Sequence, residues 1–274
     1  MNRLTDVPAA FVESHFSPSA YNATYFTSIM EDEAALLDWL VTMLPTLLGP
    51  PQGQPDLHLL DVGCGPTVHR MLAFEPFVQS IELSDLMAHN LAEIHNWLRQ
   101  HPEAHDWSHF TSAVHELERR IGSSDIPPTT SKREDSLRAK VSGLNTIDLR
   151  QPSSLRIGHR FDSHVQLQRT EFDVVTSFFC ADSATSSTNE FTMMIANAAG
   201  HVSSGGWFIG SALGGCRAYR VGDHWLPSPA LDANDLTAAL IESGVAPIEI
   251  TRFDTPQLAD DGFDHIFAFV GRRT

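Results

Sequence analysis

The chain has 274 residues, 42% of them apolar, and carries 34 acidic against 18 basic side chains for a formal charge of −16. That apolar content suits one large α/β domain or two small ones and excludes disorder as the default, while the acidity disfavours nucleic acid and anionic membrane surfaces and favours a neutral or cationic partner. Cys64, Cys180 and Cys216 are too few for a disulfide framework and lack paired zinc spacing, the 14 histidines form no HExxH pattern, and neither a secretory signal nor a membrane-spanning run is evident, so a cytoplasmic protein without a metal is expected.

In chain order, Ala34, Leu37, Leu40, Val41 and Leu44 recur at three- and four-residue steps and predict an amphipathic helix over 31–48, stopped by Gly49-Pro50-Pro51. Residues 57–62 predict a buried strand that runs straight into a glycine turn. A second strand follows over 78–83 and a helix over 86–99, with Leu91, Ile94, Trp97 and Leu98 on its inner face. Residues 101–143 are polar and rich in histidine, with a breaker at Ser123-Ser124-Asp125-Ile126-Pro127-Pro128 and a helix over 132–141; they read as an insertion or lid-like connection. Further strands are expected over 144–149, 172–179, 207–213, 247–253 and 263–270, and helices over 189–202 and 232–243.

Alternating strands and helices predict an α/β fold, a doubly wound, mostly parallel sheet of seven strands, because parallel neighbours need crossover connections. The last two strands lack a helix between them and predict an antiparallel hairpin at one edge. One domain over 1–274, with an N-terminal helical cover over 1–50, is the economical organisation.

In such a sheet ligands sit beyond the carboxyl ends of the strands, which directs attention to four strand ends. The first carries Asp61-Val62-Gly63-Cys64-Gly65-Pro66-Thr67, where glycines let the backbone approach a ligand. The second ends at Asp85, a carboxylate able to accept both ribose hydroxyls of an adenosine, or else to cap the helix that follows. The third ends at Asp148-Leu149, which can pair with an adenine amino group and cover its ring. The fourth carries Ser177-Phe178-Phe179-Cys180-Ala181-Asp182, facing the place where chemistry would occur. A dinucleotide site would require a third glycine, and Pro66-Thr67 stands there instead.

Leu60-Asp61-Val62-Gly63-Cys64-Gly65-Pro66-Thr67 resembles the LIDIGSGPT motif of the nicotinamide, phenylethanolamine and indolethylamine N-methyltransferase family. The resemblance extends to His15-Phe16-Ser17-Pro18 with Tyr21, which is similar to the family's HFNPxxY segment, and to Ser84-Asp85, Asn90, Trp97-Leu98, Pro102-Glu103-Ala104 and Asp106-Trp107-Ser108. Ile147-Asp148-Leu149, Phe179-Cys180-Ala181-Asp182 and Gly205-Gly206 occupy matching places downstream. It implies a class I, Rossmann-like methyltransferase fold that uses S-adenosylmethionine and releases S-adenosylhomocysteine. The cofactor residues so implied are Tyr21, Gly63, Cys64, Gly65, Thr67, Asp85, Asn90, Asp148 and Leu149, joined by Ser177 and Phe178 of the fourth strand end. Tyr25 lies one position from the family's second tyrosine, and His69 replaces its tyrosine after the glycine turn. Ser211-Ala212-Leu213-Gly214-Gly215 stands where family members carry an acidic residue, so the substrate does not carry over.

Methyl transfer is an in-line displacement in which the protein mainly holds the nucleophile behind the methyl carbon. Asp182 is the first candidate for orienting the acceptor and Tyr219 for closing over it, with Asp264 and His265 as weaker candidates. The acidic balance and the family point to a small amine, amino-acid derivative or nitrogen heterocycle. Transfer to oxygen, sulfur or carbon, a catalytically silent binding protein, and a monomer or homodimer all remain open.

Overall fold

The computed structural model describes residues 16–50, 56–123, 126–127, 129–152, 155–160, 169–221 and 224–274. His15 of the N-terminal motif, Pro51 of the helix stop, and Ser124, Asp125 and Pro128 of the breaker lie outside them.

Helix α1 (Pro18–Tyr25) starts where Ser17 accepts the Ala20 N–H and Pro18 supplies a preset φ. Helix α2 (Glu31–Leu48) opens on three carboxylates, Glu31, Asp32 and Glu33, which favour the positive end of its dipole. It buries Leu36, Leu37, Leu40, Val41 and Leu44, and Gly49 beyond it has a φ of +83°.

The sheet holds the seven expected strands and an eighth at one edge. In chain order they are β1 (His58–Val62), β2 (Ser80–Asp85), β3 (Val141–Thr146), β4 (Arg156–Arg160), β5 (Phe172–Phe178), β6 (Val202–Leu213), β9 (Val245–Asp254) and β10 (His265–Arg273). They lie in the order β4-β3-β2-β1-β5-β6-β10-β9. A separate hairpin pairs β7 (Ala218–Val221) with β8 (His224–Pro227). The strands β1, β2, β3, β5 and β6 run parallel, whereas β4, β10 and β9 run antiparallel to their neighbours. The expected hairpin at the edge is β9–β10, with β10 inserted beside β6.

The order reverses at β1: the chain first builds outward through β2 and β3, then returns to place β5 on the other side. A crevice therefore opens beyond the carboxyl ends of β1 and β5. Strand periodicity splits the core between two faces: Leu59 and Val174 enter one cluster with Leu36, Leu40 and Phe74, and Leu60 and Val175 enter the other with Phe191, Phe208 and Phe269.

Pairing shifts several boundaries. β2 ends at Asp85 because Val62 aligns with Ser84, and β3 ends at Thr146 because Asp85 aligns with Thr146. Asp148 and Leu149 consequently lie in the loop past β3 rather than in the strand. β6 starts five residues before Trp207, since Val202 already pairs with Phe172 and the ladder continues through Gly205-Gly206 with a register shift. β4 is short and basic, and β7 and β8 have four residues each, too short for a periodicity signal.

The remaining helices are α3 (Met71–Phe74), α4 (Ala88–Leu98), α5 (Ser108–Arg120), α6 (Thr130–Lys140), α7 (Thr188–Ala199) and α8 (Ala233–Glu242). Residues 101–143 supply α5 and α6, which bury Phe110, Val114 and Leu137 in the core. Fully buried Arg133 of α6 bonds Glu75 at 2.9 Å and Glu118 of α5, and Lys140 pairs with Glu75 at 2.9 Å, so two cations balance the two carboxylates. Among the described residues no helix is long and apolar enough to cross a membrane.

Candidate active site

The loop after β1 is closed by the Gly63 and Cys64 N–H groups, which donate to the Ser84 carbonyl at 2.8 and 3.0 Å. Gly63, at φ +69°, has room for no side chain: a Cβ there would lie 2.0 Å from Cys180 Sγ, so the loops after β1 and β5 touch. Gly65, at φ +59°, has no atom within 4 Å of an added Cβ and faces open space. Thr67 Oγ1 donates to the Cys64 carbonyl at 2.8 Å and braces the turn from within.

Asp85 sits at the end of β2, almost wholly buried. Its Oδ1 accepts the Met87 N–H at 2.8 Å and Asn90 Nδ2 at 3.0 Å, and its Oδ2 accepts the Gly65 N–H at 2.9 Å. Burial raises its pKa, and those donors oppose the rise. Asp85 thus both organises the start of α4 and ties the first two loops together. Oδ2 keeps acceptor capacity beyond its single bond.

Asp148 is held by Arg150, whose Nε and Nη2 donate at 2.8 and 3.0 Å, and this pairing lowers its pKa. Asn197 of α7 donates to the Leu149 carbonyl at 2.7 Å and fixes the loop against that helix. At the end of β5, Phe179 takes a left-handed φ of 52°, a strained state for a bulky residue that places it in the cavity wall.

These loops enclose a cavity of about 410 Å³. Of the sequence candidates, Tyr21, Gly63, Cys64, Gly65, Thr67, Asp85, Asn90, Asp148, Leu149, Phe178 and Tyr219 line it. Four candidates lie behind its wall. Tyr25 donates its hydroxyl to the Arg220 carbonyl, tying α1 to the hairpin, and burial pushes its pKa up to about 12. His69 is fully buried, stacked on Trp107 at 5.0 Å with Nε2 3.0 Å from Glu33 Oε2, and burial lowers its pKa to about 4. The aromatic packing of α5 thus draws it away from the place where a cofactor contact was expected. Ser177 is buried within β5 beside the Cys180 thiol.

Asp182 is the fourth. Its Oδ2 accepts the Leu213 N–H at 3.0 Å, its Oδ1 has no partner among the described residues, and burial raises its pKa to about 7. It joins the loop after β5 to the end of β6, while the next residue, Ser183, lines the cavity and accepts the Tyr219 hydroxyl at 2.9 Å. His265 pairs with Asp264 at 2.6 Å and packs against Gly214, away from the cavity.

The sequence reading missed Arg70 as a lining residue, and Leu226 and Pro227 of the hairpin. Arg70 follows the glycine turn and a cation there was a visible signal; the short hairpin offered none.

The residues present suit an adenosine. A cavity of this volume is of small-ligand size, open space faces Gly65, Asp85 retains acceptor capacity, and Asp148 lies beside apolar Ile147, Leu149 and Met194. The β1 loop carries Pro66-Thr67 where a dinucleotide-binding loop has its third glycine. Fold and site together define a class I S-adenosylmethionine-dependent methyltransferase.

The fold is shared with the Burkholderia thailandensis 1,6-didemethyltoxoflavin-N1-methyltransferase, solved with 1,6-didemethyltoxoflavin and S-adenosylhomocysteine: TM-score 0.53, 16% identity, 98% of this chain and 93% of that one. It is also shared with the magnesium protoporphyrin IX methyltransferase of Synechocystis, solved with bound S-adenosylmethionine: TM-score 0.52, 13% identity, 98% and 99%. In sequence, the chain is 26% identical to indolethylamine N-methyltransferase of Oryctolagus cuniculus over 85% of this chain and 83% of the relative. It is 28% identical to nicotinamide N-methyltransferase of Homo sapiens over 84% and 82%. The profile of the NNMT/PNMT/TEMT family matches residues 7–269, and the chain belongs to that family of S-adenosylmethionine-dependent N-methyltransferases.

Proposed function

We propose that this methyltransferase acts on a nitrogen of a small amine, amino-acid derivative or nitrogen heterocycle. The observation that carries the reading is the make-up of one cavity wall: Gly65, Asp85, Asp148 and Leu149 line it together with aromatic Tyr21, Phe179 and Tyr219 and with Leu226. Asp85 would hold the ribose, and Asp148 the adenine, covered by Leu149. When bound there, S-adenosylmethionine supplies an electrophilic methyl group on a sulfonium.

The chain's own contribution is positional. Tyr21, Phe179 and Tyr219 exclude water and present ring faces that favour positive charge. Tyr219 is held by Ser183, and its hydroxyl stays protonated because burial raises its pKa well above the usual phenol value. Holding a nucleophile in near-attack geometry lowers the barrier by about 7–11 kcal/mol on effective-molarity grounds. Asp182 acts in this reading as a positioning residue, setting the backbone of Ser183 and Leu213, and an amine's proton leaves through water.

The formal charge of −16 supports a neutral or cationic acceptor rather than nucleic acid or an anionic membrane. The three free cysteines are consistent with a cytoplasmic setting. Incubation with S-adenosylmethionine and a panel of small amines, heterocycles, phenols and thiols, read as S-adenosylhomocysteine formation, tests the assignment. Turnover confined to nitrogen acceptors is expected; turnover confined to phenols or thiols would overturn it.

A further inference from the structure

Arg70 is 8% exposed, yet it lines the cavity. Its Nη2 and Nε donate to the two carboxylate oxygens of Glu33, and its guanidinium carbon lies 5.5 and 5.2 Å from the ring centres of Phe178 and Phe179. Glu33 is itself buried; burial would raise its pKa, but Arg70 and His69 outweigh this and bring it to about 2, so the pair is ionised at neutral pH. One edge of the guanidinium, that of Nε and Nη2, is thus committed to the protein. Nη1 is not: among the described residues it has no hydrogen-bond partner, and it is not sealed from solvent.

Of the two arginines lining the cavity, Arg150 is engaged by Asp148 on the adenosine side. Arg70 follows the glycine turn and lies against Phe178 and Phe179 at the end of β5. A ligand seated on Asp85 and Asp148 therefore shares the cavity with a rigidly held cationic donor, whose free N–H groups attract an anionic group. A guanidinium held in this way recognises a carboxylate better than a mobile ammonium can, because the direction of its remaining N–H groups is set before the ligand arrives.

We propose that Arg70, oriented by Glu33, receives the α-carboxylate of the cofactor's amino-acid chain through Nη1. The acceptor's own residues, Tyr219, Leu226 and Pro227, come from the hairpin, whereas Arg70 belongs to the same turn as the cofactor loop. The assignment rests on reading the cavity as a site for S-adenosylmethionine.

The test uses calorimetry on the full chain with two ligands, S-adenosylhomocysteine and 5′-methylthioadenosine, which share the adenosine but only the first of which carries the amino-acid chain. Arg70→Gln combined with Glu33→Gln removes both charges and leaves no buried carboxylate unpaired. It should weaken S-adenosylhomocysteine on the order of 10- to 100-fold, the worth of one charge-assisted hydrogen bond, and leave 5′-methylthioadenosine unchanged. Arg70→Lys, which keeps the charge but loses the fork, should fall between. Unchanged affinity for S-adenosylhomocysteine, or equal loss for both ligands, overturns the assignment. If the parent chain binds neither ligand, the reading of the cavity fails first, and the role of Arg70 with it.

Discussion

The Gly65 N–H donates to Asp85 Oδ2 at 2.9 Å, which joins the loops after β1 and β2 through one buried carboxylate. A single side chain thus shapes the turn, starts α4 through Met87 and Asn90, and offers a ligand its remaining acceptor capacity.

Asp85→Ala should therefore affect both stability and binding. Three donors lose their acceptor, so the midpoint of thermal unfolding should fall by a few degrees, and calorimetry should show S-adenosylmethionine affinity reduced by about tenfold or more. Parental affinity would remove Asp85 from the cofactor site.

The two glycines of the turn should respond differently. Gly63→Ala brings a Cβ against Cys180 Sγ at 2.0 Å as well as into the left-handed region, so folding and cofactor binding should both suffer. Gly65→Ala meets no atom within 4 Å and bears only the backbone cost of about 1–2 kcal/mol. Its main defect should be weaker cofactor binding. Thermal melts with and without S-adenosylhomocysteine separate the cases, and equal destabilisation of both variants without ligand would contradict this account.

Asp182 predicts a pH effect. Burial raises its pKa to about 7, well above the value near 3.9 of an unfolded aspartate. The folded state then binds more protons than the unfolded state between these values, so its contribution to stability is present below about pH 4 and is lost as pH rises through about 7. Asp182→Asn keeps an oxygen for the Leu213 N–H and should flatten that part of the decline. Cofactor affinity should hardly change, while turnover should fall through displacement of Ser183 and Tyr219. A melt profile against pH identical to the parent's, or full turnover, would remove these roles.

Arg133 bridges Glu75 and Glu118 in a buried setting, so Arg133→Ala leaves Glu118 without its ion-pair partner and Glu75 with Lys140 alone. The loss expected from urea denaturation is about 3–5 kcal/mol. A change below about 1 kcal/mol would show that water or neighbouring groups compensate.

The order of elements was legible in the sequence because helices and strands bury apolar residues at different periods. Leu37, Leu40, Val41 and Leu44 mark one helix face; Leu59-Leu60 and Val174-Val175 serve both faces of a sheet. The glycine turn, Asp85 and Asp148 were equally legible, since positive φ and a carboxylate at a strand end are local requirements. β4 and the β7–β8 hairpin were not, because short edge strands with polar or mixed side chains owe their form to their partners.

Which residue of each loop meets the cavity was decided only in three dimensions. Asp182 and Ser183 are neighbours in the chain, yet one turns inward to the Leu213 N–H and the other lines the wall. His69 and Arg70 divide in the same way: Trp107 and Phe110 draw the imidazole into the core, and Glu33 holds the guanidinium at the cavity. The sequence by itself determined the strand-end framework and the kinds of chemical group available there. Tertiary packing chose among adjacent side chains, because burial and hydrogen-bond satisfaction are set by distant partners that no local pattern contains.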